Sequence, residues 1–304
     1  MHNYSVIIPH HNIPALLQRC LDSIPSHEDM QVIVVDDNSS PQAVDFEHFP
    51  GLDRSDVEVI LDKQGGGAGH ARNVGLERAD GKWLLFADAD DFFAPGFYET
   101  ISSFVDSESD LILFMADSVD SDTGEPSDRH LVLNENVRRA LAGRMTERQA
   151  SLEMPTPWCR MVRRSLVMER GIRYDEIPVS NDTMFAVKTT CWARRVEVSP
   201  RVLYVVTTRR GSLWDGNARD PRNFLCRMDV YIRRNRFYKD FPYAEKKAML
   251  LYLVDASHFG TSTVLRTLWM LVRSGMLFSG WQTLIKVVKQ HLLHGNIDEK
   301  TDDV

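Results

Sequence analysis

Four times in the first ninety residues, a short apolar run stops abruptly at a polar or glycine-rich cluster. Ser5-Val6-Ile7-Ile8 ends at Pro9-His10-His11-Asn12, and residues 31–35 end at Asp36-Asp37-Asn38-Ser39-Ser40. Residues 57–61 lead to a glycine loop over 65–73, and residues 83–87 run into Asp88-Ala89-Asp90-Asp91. Each run is too short for a helix, and the run at 31–35 is continuously apolar, as in a parallel strand covered on both faces. Helical spacing appears between them, at residues 15–24 and 68–78. Alternation of this kind predicts an α/β fold with a mostly parallel open sheet flanked by helices.

Farther along, residues 110–115 and 201–207 read as strands. Residues 118–129, with Gly124 and Pro126, read as a loop, and 136–150, 163–169 and 182–193 read as helices. Past Gly211 strand signals cease and helical spacing covers 222–238, 243–258, 264–276 and 281–293. The expected organisation is a catalytic domain over 1–210 and a C-terminal helical appendage over 211–304.

Charge divides the chain in the same place. Residues 1–208 hold 20 basic against 33 acidic side chains, while residues 209–294 hold 15 against 6. The acidic part argues against nucleic-acid binding, and the basic part suits an anionic surface. Cys20, Cys159, Cys191 and Cys226 show no metal or redox spacing and read as reduced thiols of a cytoplasmic protein. No export signal is read at the start, and no uncharged run is long enough to span a bilayer.

In an open α/β sheet, ligands sit beyond the carboxyl ends of the strands. The four clusters should therefore share one rim. Asp88, Asp90 and Asp91 would repel one another unless a cation or hydrogen-bond donors held them, and hard carboxylate oxygens suit Mg²⁺ or Mn²⁺. A solvated helix cap is the alternative. The glycine loop fits neither a dinucleotide nor a P-loop pattern; it either lets backbone approach a ligand or is purely structural. Arg72 behind it can meet a phosphate or hold a carboxylate. Asp36 and Asp37 either face the crevice or cap the next helix. The adjacent His10 and His11 suit polar lining or stacking better than zinc.

Taken together, Val6-Ile7-Ile8-Pro9 with Asn12, Val34-Val35-Asp36-Asp37-Asn38-Ser39, residues 71–76 and residues 81–91 resemble the family-2 glycosyltransferases, in particular bacterial enzymes of surface-polysaccharide synthesis. A second block is similar more weakly: Pro157-Trp158, Arg163-Arg164-Ser165-Leu166, residues 181–185, Leu203-Tyr204 and Arg209-Arg210-Gly211-Ser212. The resemblance spans roughly residues 4–213 and implies a GT-A-type fold. It also implies an inverting, metal-dependent transfer from a nucleoside-diphosphate sugar, UDP-sugar first, to a hydroxyl of a glycan or lipid-linked glycan.

Pro9, His11, Asn12, Asp37, Arg72, Asp88 and Asp90 would then bind the donor. Asp88 and Asp90 would hold Mn²⁺ or Mg²⁺, Trp158 and Asn181 would face the acceptor, and Asp182 would be the catalytic base. Two positions depart from the family pattern: Asn181 stands where Glu is usual, and His11 where Tyr is frequent. A nucleotidyltransferase, or an inactive nucleotide-sugar-binding scaffold, is the competing reading. The C-terminal helices fit packing against the catalytic domain, a second copy in a homo-oligomer, or peripheral attachment to an anionic surface at the inner face of the cell membrane.

Overall fold

Strand β1 (Tyr4–His10) lies between two parallel neighbours, β2 (Met30–Asp37) and β4 (Trp83–Phe86), with Ile7 opposite Ile33 on one side and Phe86 on the other. Strand β3 (Val57–Asp62) pairs parallel on the outer side of β2. Every residue of β1 and β4 is buried, as a sheet covered on both faces requires. Helices α1 (Pro14–Asp22) and α2 (Gly67–Arg78) make the crossovers. These features belong to a computed structural model that describes residues 2–209, 220–283 and 285.

The second half of the sheet is mixed. It contains β5 (Phe92–Phe93), β6 (Leu111–Asp120), β7 (Arg160–Arg163) and β8 (Val196–Thr208). The order across the eight strands is β3-β2-β1-β4-β7-β6-β8-β5. β7 runs antiparallel to both β4 and β6, β6 and β8 are parallel, and β5 closes the edge antiparallel to β8. Helices α3 (Phe97–Ser102), α4 (Leu131–Leu141), α5 (Glu147–Glu153), α6 (Arg164–Glu169) and α7 (Thr183–Trp192) complete this part. The sheet is thus open and mostly parallel, as the alternation predicts.

Three local expectations change. Residues 118–129 are not all loop: β6 continues to Asp120, and Pro126 bridges back to Val119. The single helix expected over 136–150 is two, α4 and α5, divided near Gly143, whose φ of +67° suits glycine. A reciprocal capping box of Thr146 and Gln149 then starts α5. β7 looked unlike a strand because arginines bound it. Yet the buried Arg160 donates to Ser151 Oγ at 2.7 Å and to the Ser151 and Met154 carbonyls, while Arg163 lies 3.8 Å from the Trp83 ring centroid. Their charges are satisfied by tertiary partners that sequence pattern does not reveal.

The chain divides into two compact units, Met1–Asp215 and Gly216–Val304. The second contains α8 (Pro221–Phe237), α9 (Tyr252–Ser257) and α10 (Thr261–Ser274) around a small core of Phe224, Met228, Ile232, Met249, Ala256, Leu271 and Met276. Asp220 caps α8, accepting from the Arg222 N–H at 2.8 Å. The helix expected over 243–258 is confined to its end. Asn235 of α8 takes both the N–H and the carbonyl of Lys247, at 3.1 and 2.8 Å, backbone groups that a continuous helix would use itself. Most of the expected helix over 281–293, and the Arg210-Gly211-Ser212 motif, lie outside the described residues. Among the described residues, no helix is long and apolar enough to cross a membrane.

Candidate active site

The carboxyl ends of β1 and β2 are tied by a buried network. His10 Nε2 accepts from the Ile13 N–H at 3.1 Å, so the proton sits on Nδ1 and is donated to Asp36 Oδ1 at 2.8 Å. Ser39 donates to the same carboxylate through its backbone N–H and its hydroxyl. Burial alone would raise the Asp36 pKa, but the hydrogen bonds from His10 and Ser39 hold it below the ordinary range. Asp36 is therefore a structural anchor, and His10 is a neutral strut that leaves no ring nitrogen for a metal.

Asp37, the next residue, faces the glycine loop. Its Oδ2 accepts from the Gly67 N–H at 2.9 Å, while its Oδ1 is buried with no protein partner. A buried carboxylate oxygen in that position is a ready acceptor for a ligand N–H or O–H. His11 donates from Nδ1 to the Asp37 carbonyl at 2.8 Å and accepts from Asn12 Nδ2 at Nε2, and Asn12 Oδ1 accepts from the Ser40 N–H. His11 stays exposed at the rim, whereas Pro9 is a buried position of β1 opposite Val35. Pro9 shapes the site through backbone only.

Arg72 joins the rim to the far part of the sequence. Only 4% exposed on α2, it binds Asp88 Oδ1 beyond β4 and donates to Asn181 Oδ1 at 2.9 Å, beside Asp182. Burial would weaken its protonation, but Asp88, Tyr174 and Asp182 hold the charge in place. Gly69 makes this approach possible. A Cβ there would lie 2.1 Å from the Asp175 carbonyl, so the glycine admits the chain's own segment leading to Asn181 rather than a ligand. Asn73 reinforces the junction, exchanging hydrogen bonds with the Tyr174 backbone at 2.9 and 3.0 Å.

Asp182 stands at the N-cap of α7 without making a side-chain cap bond. Part of its surface remains open, yet it lies deep among protein atoms. Burial pushes its carboxyl above the ordinary range, Arg72 opposes the rise, and Asp88 adds to it. A carboxylate made more basic and still accessible is suited to accept a proton.

The acidic run is held from behind. Asp91, 3% exposed, accepts from the Thr207 N–H at 2.7 Å, and burial with Asp90 and Asp88 nearby pushes its pKa well up. The Asp90 carbonyl accepts from Arg19 at 2.6 Å and from the Thr207 hydroxyl at 2.8 Å, and its Oδ2 accepts from Arg209 at 3.1 Å. The Asp88 N–H donates to Tyr204 Oη at 2.8 Å.

Trp158, expected on the acceptor side, is only 4% exposed and stacks on Tyr204 at 5.9 Å. Arg19 and Thr207 escaped the sequence reading, which met Tyr204 only as part of the second resembling block. Thr207 closes a predicted strand and was findable by the strand-end rule; Arg19 lies inside an ordinary amphipathic helix and gave no signal.

Among the described residues, no three His, Cys, Asp or Glu side chains gather as a ready metal site. Asp88 and Asp90 each give one oxygen to an arginine, and both side chains remain about one-third exposed, at 31% and 27%. Their other oxygens are hard donors of the sort that Mg²⁺ or Mn²⁺ takes one or two at a time, with water and phosphate filling the remaining positions. The donor chemistry fits such an ion.

Backbone geometry marks the same places. Among the described residues, the non-glycine residues with positive φ are Asn12, Asn38, Cys159 and Ser180, at +59°, +55°, +58° and +55°. Each directly adjoins a candidate site residue: His11, Asp37, Trp158 or Asn181. Such conformations persist where surrounding structure holds them, and they gather at functional sites.

An open α/β sheet with acids and a guanidinium at its carboxyl rim has the arrangement of an α/β ligand-binding enzyme domain. Residues 5–171 match glycosyl transferase family 2, and the chain belongs to that family. It is similar to the Staphylococcus aureus poly(ribitol-phosphate) β-N-acetylglucosaminyltransferase TarS, 25% identical over 233 residues, which is 74% of this chain but only 39% of that relative. The uncharacterized glycosyltransferase YibD of Escherichia coli is 32% identical over 133 residues, covering 41% of this chain and 38% of YibD.

Two solved structures share the fold. S. aureus TarS 1–349 with UDP-GlcNAc aligns with a TM-score of 0.60 and 24% identity over 77% of this chain and 66% of that one. The Pyrobaculum calidifontis mannosyltransferase PcManGT with GDP-Man and Mn²⁺ aligns with a TM-score of 0.56 and 18% identity over 96% and 81%.

Proposed function

We propose that the protein moves a sugar from a nucleoside-diphosphate sugar, UDP-sugar first, to a hydroxyl of a bacterial surface glycan or lipid-linked glycan, with inversion at the anomeric carbon. The observation that carries this reading is the Arg72 junction, which joins the rim of β4 at Asp88 to Asn181 and so sets Asp182 beside the strand-end acids. Membership of family 2 and the named activity of the TarS relative support it. We assign the transfer to Met1–Asp215 and a supporting role to the helical unit. The location we propose for this work is the cytoplasm, at the inner face of the cell membrane.

In this mechanism Asp37 accepts from the nucleotide base through its unpartnered Oδ1, with His11 and Asn12 forming the adjoining wall. Asp88 and Asp90 would hold a divalent cation, whose charge would offset that of the leaving diphosphate. Asp182 removes the proton of the acceptor hydroxyl as its oxygen forms the new bond to the anomeric carbon. The bond from that carbon to the diphosphate oxygen breaks on the opposite face, and the nucleoside diphosphate leaves with its electron pair. No covalent sugar–enzyme bond is formed. Arg72 keeps the protein side of this arrangement assembled, and Asn181 lines the acceptor side.

A panel of nucleotide sugars, assayed for transfer or slow hydrolysis with and without Mn²⁺ or Mg²⁺, tests the reading. One donor consumed only when the metal is present, and not by Asp90→Asn, is expected. Turnover of no nucleotide sugar, or undiminished turnover by Asp90→Asn in chelator, would refute it.

A further inference from the structure

Helix α10 packs Leu271 into the core of its unit but carries a second apolar face outward. On that face Leu265, Leu268, Trp269 and Val272 fall at i, i+3, i+4 and i+7, one continuous stripe. All four are exposed, at 61, 37, 58 and 59%. The residues it buries are Thr263, Thr267 and Leu271, and the Thr267 hydroxyl is buried without a partner. A helix that buries two threonines beside Leu271 and leaves Leu265, Leu268, Trp269 and Val272 outward is not using that stripe for the core of its unit. Val254 on the neighbouring α9, at 62%, and Phe278 and Trp281 just beyond α10, at 69 and 57%, are exposed as well. Exposed apolar surface on this scale marks a contact face.

Charge selects the occupant. From residue 256 to residue 297 the sequence has no Asp or Glu. Exposed Arg266 flanks the stripe, and the Arg273 guanidinium lies 4.8 Å from the Trp269 ring centroid. Asp255 on α9 is the nearest acid in sequence. A second copy meeting this face through a two-fold axis would set Arg266 and Arg273 against their own duplicates. A nucleic acid would pair with the guanidiniums but leave Leu265, Leu268 and Val272 against water. A layer of anionic lipid satisfies both halves: the stripe enters the headgroup–acyl boundary, tryptophan sits at the interface, and the arginines meet phosphate.

We infer that the exposed face of α10, continued by Phe278 and Trp281, is a docking surface for anionic membrane lipid. The helix lies in the plane of the surface, since it is too short to cross. This inference is independent of which sugar the enzyme transfers.

The test uses the full chain and sedimentation with vesicles of phosphatidylcholine containing about one-third phosphatidylglycerol. Binding at low salt is expected, falling about tenfold or more on vesicles of phosphatidylcholine alone or at high salt. Leu265→Gln with Trp269→Gln should weaken binding by about tenfold or more, since it removes the inserted apolar groups. Arg266→Gln with Arg273→Gln should weaken it by about tenfold through charge alone. Thermal unfolding should be nearly unchanged in both variants, because all four side chains are at the surface. Absence of binding by the wild type at low salt overturns the inference, as does undiminished binding by Leu265→Gln with Trp269→Gln. A dimer that this variant dissociates, with no vesicle binding, would give the face to a second copy instead. Polynucleotide capture without vesicle binding would give it to nucleic acid.

Discussion

The two units place their apolar residues in opposite ways. In the described part of Met1–Asp215, the large apolar side chains left exposed are Leu52, Leu61, Leu131, Val132 and Leu141. In the much shorter described part of Gly216–Val304 they are Tyr243, Leu251, Val254, Leu265, Leu268, Trp269, Val272, Phe278, Trp281 and Ile285. The first unit hides its apolar groups to hold polar ones in fixed positions at a rim. The second keeps a small core and turns much of its apolar surface outward. A site that does chemistry needs rigid support from beneath, whereas a surface that docks needs only to be present.

The contrast can be broken first at Asp182. Replacement by Asn should lower kcat by about two to four orders of magnitude while leaving donor affinity and vesicle binding intact. In the wild type, the acid limb of the kcat profile should lie above the ordinary carboxylate range. Burial raises the Asp182 pKa, so the proton-accepting form is lost as pH falls through that raised value. Loss of donor affinity with kcat preserved at saturation would show that the residue serves the donor.

The next effect is structural and should differ between the units. A methyl group on Gly69 would meet the Asp175 carbonyl at 2.1 Å, and one on Gly280 would meet the Lys247 carbonyl at 2.1 Å. Each Gly→Ala change should cost about 1–3 kcal/mol. Gly69→Ala should reduce turnover and spare vesicle binding, and Gly280→Ala should do the reverse. If the two changes gave the same pair of losses in calorimetry and assays, the units would not be functionally separate.

A smaller change is expected at Asp91. Its pKa is raised in the folded state, so its contribution favours folding below the unfolded value of about 4 and is lost as pH rises through the raised one. Asp91→Asn cannot ionise and can still accept from Thr207. Its Tm should therefore gain on the wild type as pH increases, by about 2–4 °C per kcal/mol recovered. A constant difference across pH would mean that Asp91 does not titrate between the two states. The smallest effect is reserved for Trp269→Gln alone, which should shift unfolding by no more than about 0.5 kcal/mol. A larger loss would show that the exposed stripe supports the fold after all.

The first half of the sheet was legible because each strand of β1 to β4 is short, apolar and stopped by a polar cluster. β5 and β7 were not. Phe92–Phe93 is too brief to show a period, and Arg160 and Arg163 give no strand pattern until Ser151, Met154 and Trp83 are brought to them. That Asp37 and the Asp88–Asp91 run follow strand ends on one rim was legible, since β2 and β4 both run parallel to β1. Sequence could not show that Arg72 would choose Asn181, 109 positions away, or that Trp158 would be covered by Tyr204. Those are facts of tertiary packing. Nor could periodicity show which side of α10 faces outward, since Val264, Met270 and Leu271 gave the helix apolar residues on more than one face.

The left-handed residues bear on how such an enzyme changes over time. His11 and Asn181, where the family resemblance leads one to expect Tyr and Glu, each adjoin one of them, Asn12 and Ser180. Each left-handed residue turns the main chain, but the neighbouring side chain carries a tie of its own: His11 donates to the Asp37 carbonyl and Asn181 accepts from Arg72. A lineage that changes either residue must therefore replace a tie of the frame and not only a group that lines the rim.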